Sequence, residues 1–221
     1  MDVLTLKDVV YEYRNKHHTV RAVDGFTYGF EPGIFYAIVG KSGSGKTTLL
    51  SMLAGLDLPT SGNIDYKGKP MTDINSGRYR LRDAAMVYQS FNLFPLLTVM
   101  ENCMFQLRLK GIPTKQAKEK AAEALSNVGL TGKFHKRFPA MLSGGEQQRV
   151  AIARALSSDA GVILADEPTG NLDSENTAEI VKLLSRFAHD KGLCVIVVTH
   201  DSSVSDVADV TLRMSDGRLI T

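Results

Sequence analysis

The stretch Ile34-Phe35-Tyr36-Ala37-Ile38-Val39-Gly40-Lys41-Ser42-Gly43-Ser44-Gly45-Lys46-Thr47-Thr48-Leu49-Leu50-Ser51-Met52-Leu53-Ala54 decides the fold. Its opening apolar run, without polar alternation, predicts a parallel strand buried on both faces. Thr47 to Ala54 has helical spacing and stops at Gly55, a C-terminal cap. Between strand and helix, Gly40 to Thr47 fits the P-loop pattern of Gly, four residues, then Gly-Lys-Ser/Thr. Gly43 and Gly45 let the backbone turn inward, so that successive N–H groups and the helix N-terminus face one anion. Lys46 adds a point charge for the β- and γ-phosphates, and the Thr47 hydroxyl is placed to ligate Mg²⁺. Gly40, Lys41, Ser42, Gly43, Ser44, Gly45, Lys46, Thr47 and Thr48 are therefore the expected contacts of a bound polyphosphate.

Outward from this point the chain reads as an α/β core. Strand-like segments run from Val3 to Val9 and from Val20 to Phe30, and Glu31-Pro32-Gly33 turns into the P-loop strand. Asn63 to Tyr66, bracketed by turn residues, predicts a small antiparallel extension. Met86-Val87-Tyr88 ends at Gln89, where the texture changes. Thr98 to Val128 is helical, with a break at Gly111-Ile112-Pro113 and a stop at Gly129. Residues from about 90 to 158 are expected to form a helical subdomain inserted into the core of about 1–89 and 159–221. Gly161 to Ala165, a helix from about Ser174 to Lys191, and Leu193 to Val198 restore the strand–helix–strand alternation of a mostly parallel sheet. The whole chain reads as one domain.

Composition excludes several classes of function. With 221 residues the chain can bury a sizeable core, and 43% hydrophobic with 23% charged residues is ordinary for a soluble globular protein. A net charge of +2, without a basic block, gives no footprint for nucleic acid or an acidic membrane surface. Cys103 and Cys194 fit no metal or redox spacing, and read as buried reduced thiols of a cytosolic protein. The N-terminus lacks a signal-peptide pattern, and the longest apolar runs are of strand length, so any membrane role must come through a partner. His17, His18 and His135 read as surface residues.

A second phosphate-sized site lies at Leu142-Ser143-Gly144-Gly145-Glu146. Ser143 and Glu146 form a capping-box pattern ahead of Gln147-Gln148-Arg149-Val150-Ala151-Ile152-Ala153-Arg154-Ala155-Leu156. Two glycines in the first turn cost about 2 kcal/mol of helix propensity, which packing or function must offset. Bare N–H groups at a positive helix end suit an anion. Val162-Ile163-Leu164-Ala165-Asp166-Glu167 places two carboxylates at the end of a buried strand, where an open α/β sheet binds its ligands.

Taken together, the P-loop and Leu142 to Leu156 resemble the ATP-binding cassette (ABC) proteins over nearly the whole chain, Leu142 to Leu156 matching the signature motif. The resemblance implies a P-loop NTPase fold and an ATP hydrolase in which the signature of one subunit meets the γ-phosphate held by the P-loop of another. Ser143, Gly144 and Gly145 would thus serve the nucleotide of a second copy in a head-to-tail dimer. It also implies that Asp166 holds Mg²⁺, that Glu167 is the general base for the attacking water, and that Gln89 senses both. His200 matches the switch histidine that contacts the γ-phosphate. Asp173 matches the D-loop aspartate that touches the opposite subunit. An aromatic residue near the N-terminus stacks on adenine, and Tyr13 aligns with it, with Tyr11 as the neighbouring alternative.

The family implies partners too: integral membrane permease subunits, with the cassette held at the cytoplasmic face of the cell membrane. The apolar loop Ser90-Phe91-Asn92-Leu93-Phe94-Pro95-Leu96-Leu97 is a docking surface on this reading. Asp166 to Ser174 and Gly55 to Gly62 look like the lipoprotein-release and macrolide-export subgroup, which implies export or membrane extraction. Phe91 to Val99 also resembles polar amino-acid importers. A soluble ABC protein acting on nucleic acid would carry a long coiled coil, a zinc-binding insertion or a second cassette, and residues 90–141 show neither heptads nor paired cysteines.

Overall fold

The computed structural model describes residues 1–14 and 18–220. In chain order the elements are β1 (Leu4–Arg14), β2 (Thr19–Phe30), β3 (Phe35–Val39), α1 (Lys46–Leu53), β4 (Ser61–Tyr66), β5 (Lys69–Pro70), α2 (Ser76–Arg82) and β6 (Ala84–Tyr88). Then come α3 (Val99–Leu109), α4 (Thr114–Asn127), α5 (Gly144–Ser157), β7 (Val162–Asp166), α6 (Ser174–Lys191), β8 (Cys194–Thr199), α7 (Ser202–Ser205), β9 (Val210–Ser215) and β10 (Arg218–Ile220).

The strands form two sheets. A six-stranded sheet of order β10-β9-β3-β8-β7-β6 is parallel except for the edge hairpin β9–β10. A four-stranded antiparallel sheet of order β2-β1-β4-β5 is the expected extension, and it takes in both N-terminal strands. Alternation along β3 divides the interior: Phe35 and Ala37 face a core shared with α3, α4, α5 and α6, whereas Tyr36 and Ile38 face α1 and the antiparallel sheet. Both faces of the parallel sheet are therefore covered, which is why β3 and β8 read as unbroken apolar runs.

Helices α3, α4 and α5 pack on one another in the inserted helical region. Their apolar residues, such as Cys103, Leu107 and Leu125, belong to the same cluster as Val195 and Val197 of β8, so the helical region and the sheet share one core. Sequence periodicity assigns neither the short α2 nor the C-terminal hairpin β9–β10. Asp216-Gly217 between the two strands is the local hairpin signal for the latter.

Candidate functional site

The P-loop runs from the end of β3 to α1, at the carboxyl end of the parallel sheet. Gly45 precedes α1 with φ +96°, and a Cβ there would lie 2.0 Å from the Ala22 carbonyl oxygen, so only glycine fits. No side chain caps this helix. Lys46 is buried, and its Nζ donates to the carbonyls of Gly40 (2.7 Å) and Lys41 (3.0 Å). The Ser44 hydroxyl is buried without a hydrogen-bond partner. The loop thus presents open N–H groups, a buried cation and a spare hydroxyl, which together suit an anion with several oxygens.

The loop borders a cavity of ≈ 960 Å³ whose lining includes Lys41, Gly43, Lys46, Thr47 and Thr48 together with Gln89, Glu167 and His200. Tyr13, Val20, Arg21 and Ala22 line it as well, with the Ala22 carbonyl against Gly45. Tyr13 is half exposed, and its hydroxyl lies 3.2 Å from Thr48 Oγ1. Tyr11 does not line the cavity but packs edge-on against Tyr13, with ring centroids 5.0 Å apart. Val20, Arg21, Ala22 and the Asp216-Gly217 turn are cavity residues that carry no motif. Arg21 is held in place by Glu12 (3.0 Å) and Asp24 (3.0 Å).

The two carboxylates at the end of β7 have different environments. Asp166 accepts from Thr47 Oγ1 at 3.2 Å, and burial raises its pKa above the ordinary value, with Glu167 adding to the rise and the Thr47 hydroxyl and Lys46 opposing it. A half-buried carboxylate beside a threonine hydroxyl is a pair of hard oxygen ligands, which fits Mg²⁺ held by few side chains and by phosphate oxygens. Glu167 has φ +46°, unusual for a residue other than glycine. Its carboxylate accepts from Thr199 Oγ1 (3.0 Å) and His200 N (3.4 Å), and pairs with His200 Nδ1 at 2.9 Å. Thr199 at the end of β8 and His200 just after it thus hold Glu167, the residue that follows β7. Gln89, exposed at the end of β6, is tied to Asn171, whose Nδ2 donates to the Gln89 carbonyl at 3.0 Å.

The structure gives Asp173, His135 and Gly145 defined surroundings. Asp173 caps α6, its carboxylate accepting from Asn176 N (2.8 Å) and Nδ2 (2.9 Å), so within this chain it has a structural partner and lies outside the cavity lining. His135 is half-buried, with Nε2 enclosed and unpartnered, rather than on the surface; His18 is exposed, and His17 lies outside the described residues. At the start of α5, Ser143 and Glu146 make the predicted capping box, while Gly145 is buried, and a Cβ there would stand 2.1 Å from Asn176 Oδ1. Close packing therefore accounts for Gly145, and Ser143 with Gly144 is the accessible part. None of the three lines the P-loop cavity.

Both cysteines are buried, and burial pushes each thiol up to about 12, which leaves them inert. No described helix is long and apolar enough to cross a membrane.

Residues 23–170 match the family model described as ABC transporter. An uncharacterized ABC transporter ATP-binding protein of Bacillus subtilis is 41% identical over 98% of this chain and 95% of its own length. One from Thermotoga maritima is 42% identical, over 98% of this chain and 93% of its own. The macrolide export ATP-binding/permease protein MacB of Syntrophobacter fumaroxidans is 40% identical over 98% of this chain, which spans 31% of that longer protein. Among solved structures, a bacterial ABC transporter cassette, MJ0796, in a dimeric structure superposes with TM-score 0.90 at 35% identity, over 99% of this chain and 97% of the other. The same cassette in a dimeric post-hydrolysis state bound to ADP and Pi matches equally well.

Proposed function

This chain belongs to the ABC transporter family as an ATP-binding and ATP-hydrolysing cassette, and from that premise we propose that two copies enclose two ATP molecules and drive a separate membrane permease. The observation that carries the two-copy reading is the split of the phosphate chemistry. The P-loop cavity holds Lys46, Thr47, Glu167 and His200, yet Ser143 and Gly144, at a helix N-terminus suited to an anion, are absent from its lining. A second copy supplies them. The dimeric form of MJ0796 supports this arrangement.

Within one site Tyr13 stacks on the base, while the P-loop N–H groups and Lys46 hold the phosphates. Lys46 gives up its two carbonyl contacts when the anion enters. Thr47, Asp166 and Gln89 would hold Mg²⁺, which would supply positive charge against the charge developing on the phosphate oxygens. Glu167 accepts the proton of the attacking water, and His200, held by that carboxylate, faces the γ-phosphate.

The exposed patch of Phe94, Leu96, Phe105 and Leu109 is the docking face for the permease, which keeps the cassette peripheral on the cytoplasmic side of the membrane. Export or extraction from the membrane is the direction supported by the MacB-like sequence and by the Asp166 to Ser174 and Gly55 to Gly62 segments.

Glu167→Gln tests the reading. It should retain ATP binding, lower turnover by about 10²- to 10⁴-fold, and elute as a dimer in ATP but as a monomer without it in size-exclusion chromatography. A variant that stays monomeric at saturating ATP would overturn the two-copy site.

A further inference from the structure

Arg154, on α5, is only 8% exposed and is not among the residues that line the P-loop cavity. Its guanidinium donates to two main-chain carbonyls, Asn92 (2.6 Å) and Phe91 (3.2 Å), and no carboxylate pairs with it among the described residues. Burying a cation against neutral acceptors alone is costly, so the position it enforces must matter. The two residues it clamps are themselves unusual. Phe91 and Asn92 have φ of +61° and +47°, consecutive non-glycine residues in the left-handed region.

The clamped segment reaches the other end of the same helix. Phe91 Cζ lies 3.8 Å from the place a Cβ on Gly144 would take, beside Leu172 Cδ2 at 3.7 Å. Phe91 therefore bridges Arg154 in the third turn of α5 and Gly144 in its first. Beyond it, the fully buried Asn102 fixes the rest of the loop. Its Nδ2 donates to the carbonyls of Phe94 (3.1 Å), Leu97 (3.0 Å) and Thr98 (3.0 Å), and its Oδ1 accepts from Phe94 N (2.8 Å). Leu96 stands 87% exposed at the tip. The loop is thus a stiff lever, exposed at Leu96 and seated at Phe91 on the first turn of α5.

We propose that Arg154 is a positioning residue that locks the apolar loop 91–98 to the first turn of α5, so that displacing the loop and placing Ser143 against a partner's nucleotide are one coupled event. The inference rests on the two-copy site above. Because coupling between two sites is reciprocal, engagement of Ser143 by nucleotide must also move or stiffen the loop, with no permease present.

The chain contains no tryptophan, so Leu96→Trp supplies a single fluorescent reporter at the loop tip. In a Glu167→Gln background, ATP should produce a dimer by size-exclusion chromatography together with a change in the anisotropy and acrylamide quenching of that reporter. Adding Arg154→Met should raise the ATP concentration for half-maximal dimerisation by about 5- to 150-fold and abolish the reporter change in the dimer that does form. Arg154→Lys, which can keep one carbonyl bond, should give an intermediate response and serves if the Met variant does not fold. A reporter change of full size without the Arg154 guanidinium overturns the proposal, as does a dimer of the Arg154 protein with no reporter change. Absence of any dimer instead removes the two-copy site, and this inference with it.

Discussion

Two helices begin at glycines in this molecule, and they are finished differently. Helix α1 starts at Gly45 with no side-chain cap, and Lys46 folds back onto the Gly40 and Lys41 carbonyls. Helix α5 starts with a complete capping box, Ser143 Oγ accepting from Glu146 N at 3.2 Å and Glu146 Oε2 accepting from Ser143 N at 2.8 Å. The first leaves its N–H donors to a ligand and has a cavity over them. The second is self-sufficient as a helix start and does not line that cavity, so what it adds is an exposed Ser143 and the nearby Gly144. The difference teaches that one end leaves its donors to a ligand while the other satisfies its own, which is the contrast on which the proposed two-copy site rests.

Breaking each end separately gives the largest effect. Lys46→Ala should weaken nucleotide binding to its own chain, and Ser143→Arg should leave that binding intact; each alone should lower turnover by about 10²-fold or more. Mixing the two variants should restore hydrolysis well above the sum of the separate rates, because a mixed dimer contains one site with an intact P-loop and an intact Ser143. Phosphate release in the mixture measures this, and an additive rate would show that both ends act within one chain.

A smaller effect sharpens how the α1 end is completed. Tyr13→Ala should weaken ATP by about 5- to 100-fold, the range of base-stacking contributions, while binding of inorganic tripolyphosphate stays unchanged. Equal losses for both ligands in calorimetry would remove Tyr13 from the base.

The smallest effect concerns stability. Asp166 has its folded pKa raised, chiefly by burial. Its neutral form therefore favours the ligand-free fold below the unfolded pKa, and that contribution is lost as pH rises through the folded value. At pH 7 the ionised carboxylate works against folding, so Asp166→Asn should raise the melting temperature by about 1–3 °C while abolishing metal-dependent hydrolysis. The gain should shrink as the pH is lowered through the carboxylate range. A lower melting temperature at pH 7 would mean that the Thr47 bond outweighs the burial.

Much of the molecule is legible in sequence because its signals are local. Apolar runs of strand length fix β3, β7 and β8, and Ser174 to Lys191 carries its own cap and stop, Asp173 and Gly192. The capping box at Ser143 and the glycine turn at the P-loop need only neighbours in sequence. Less legible are residues whose role comes from distant partners. Val20, Arg21 and the Asp216-Gly217 turn reach the cavity only because β2 and the β9–β10 hairpin fold over it. Gly145 reads as an open donor in sequence, yet Asn176, on another helix, makes it a packing glycine.

By itself, then, the sequence determined the α/β P-loop core, the start of each of these helices and the chemical types gathered at the ends of β3, β7 and β8, since backbone propensity, periodicity and turn chemistry act over a few residues. Tertiary structure decided which of those groups meet: Tyr13 rather than Tyr11 in the cavity, Glu167 against His200, Phe91 between Arg154 and Gly144. Such contacts join residues that are far apart in the chain. They depend on sheet order and helix packing, which no local pattern encodes.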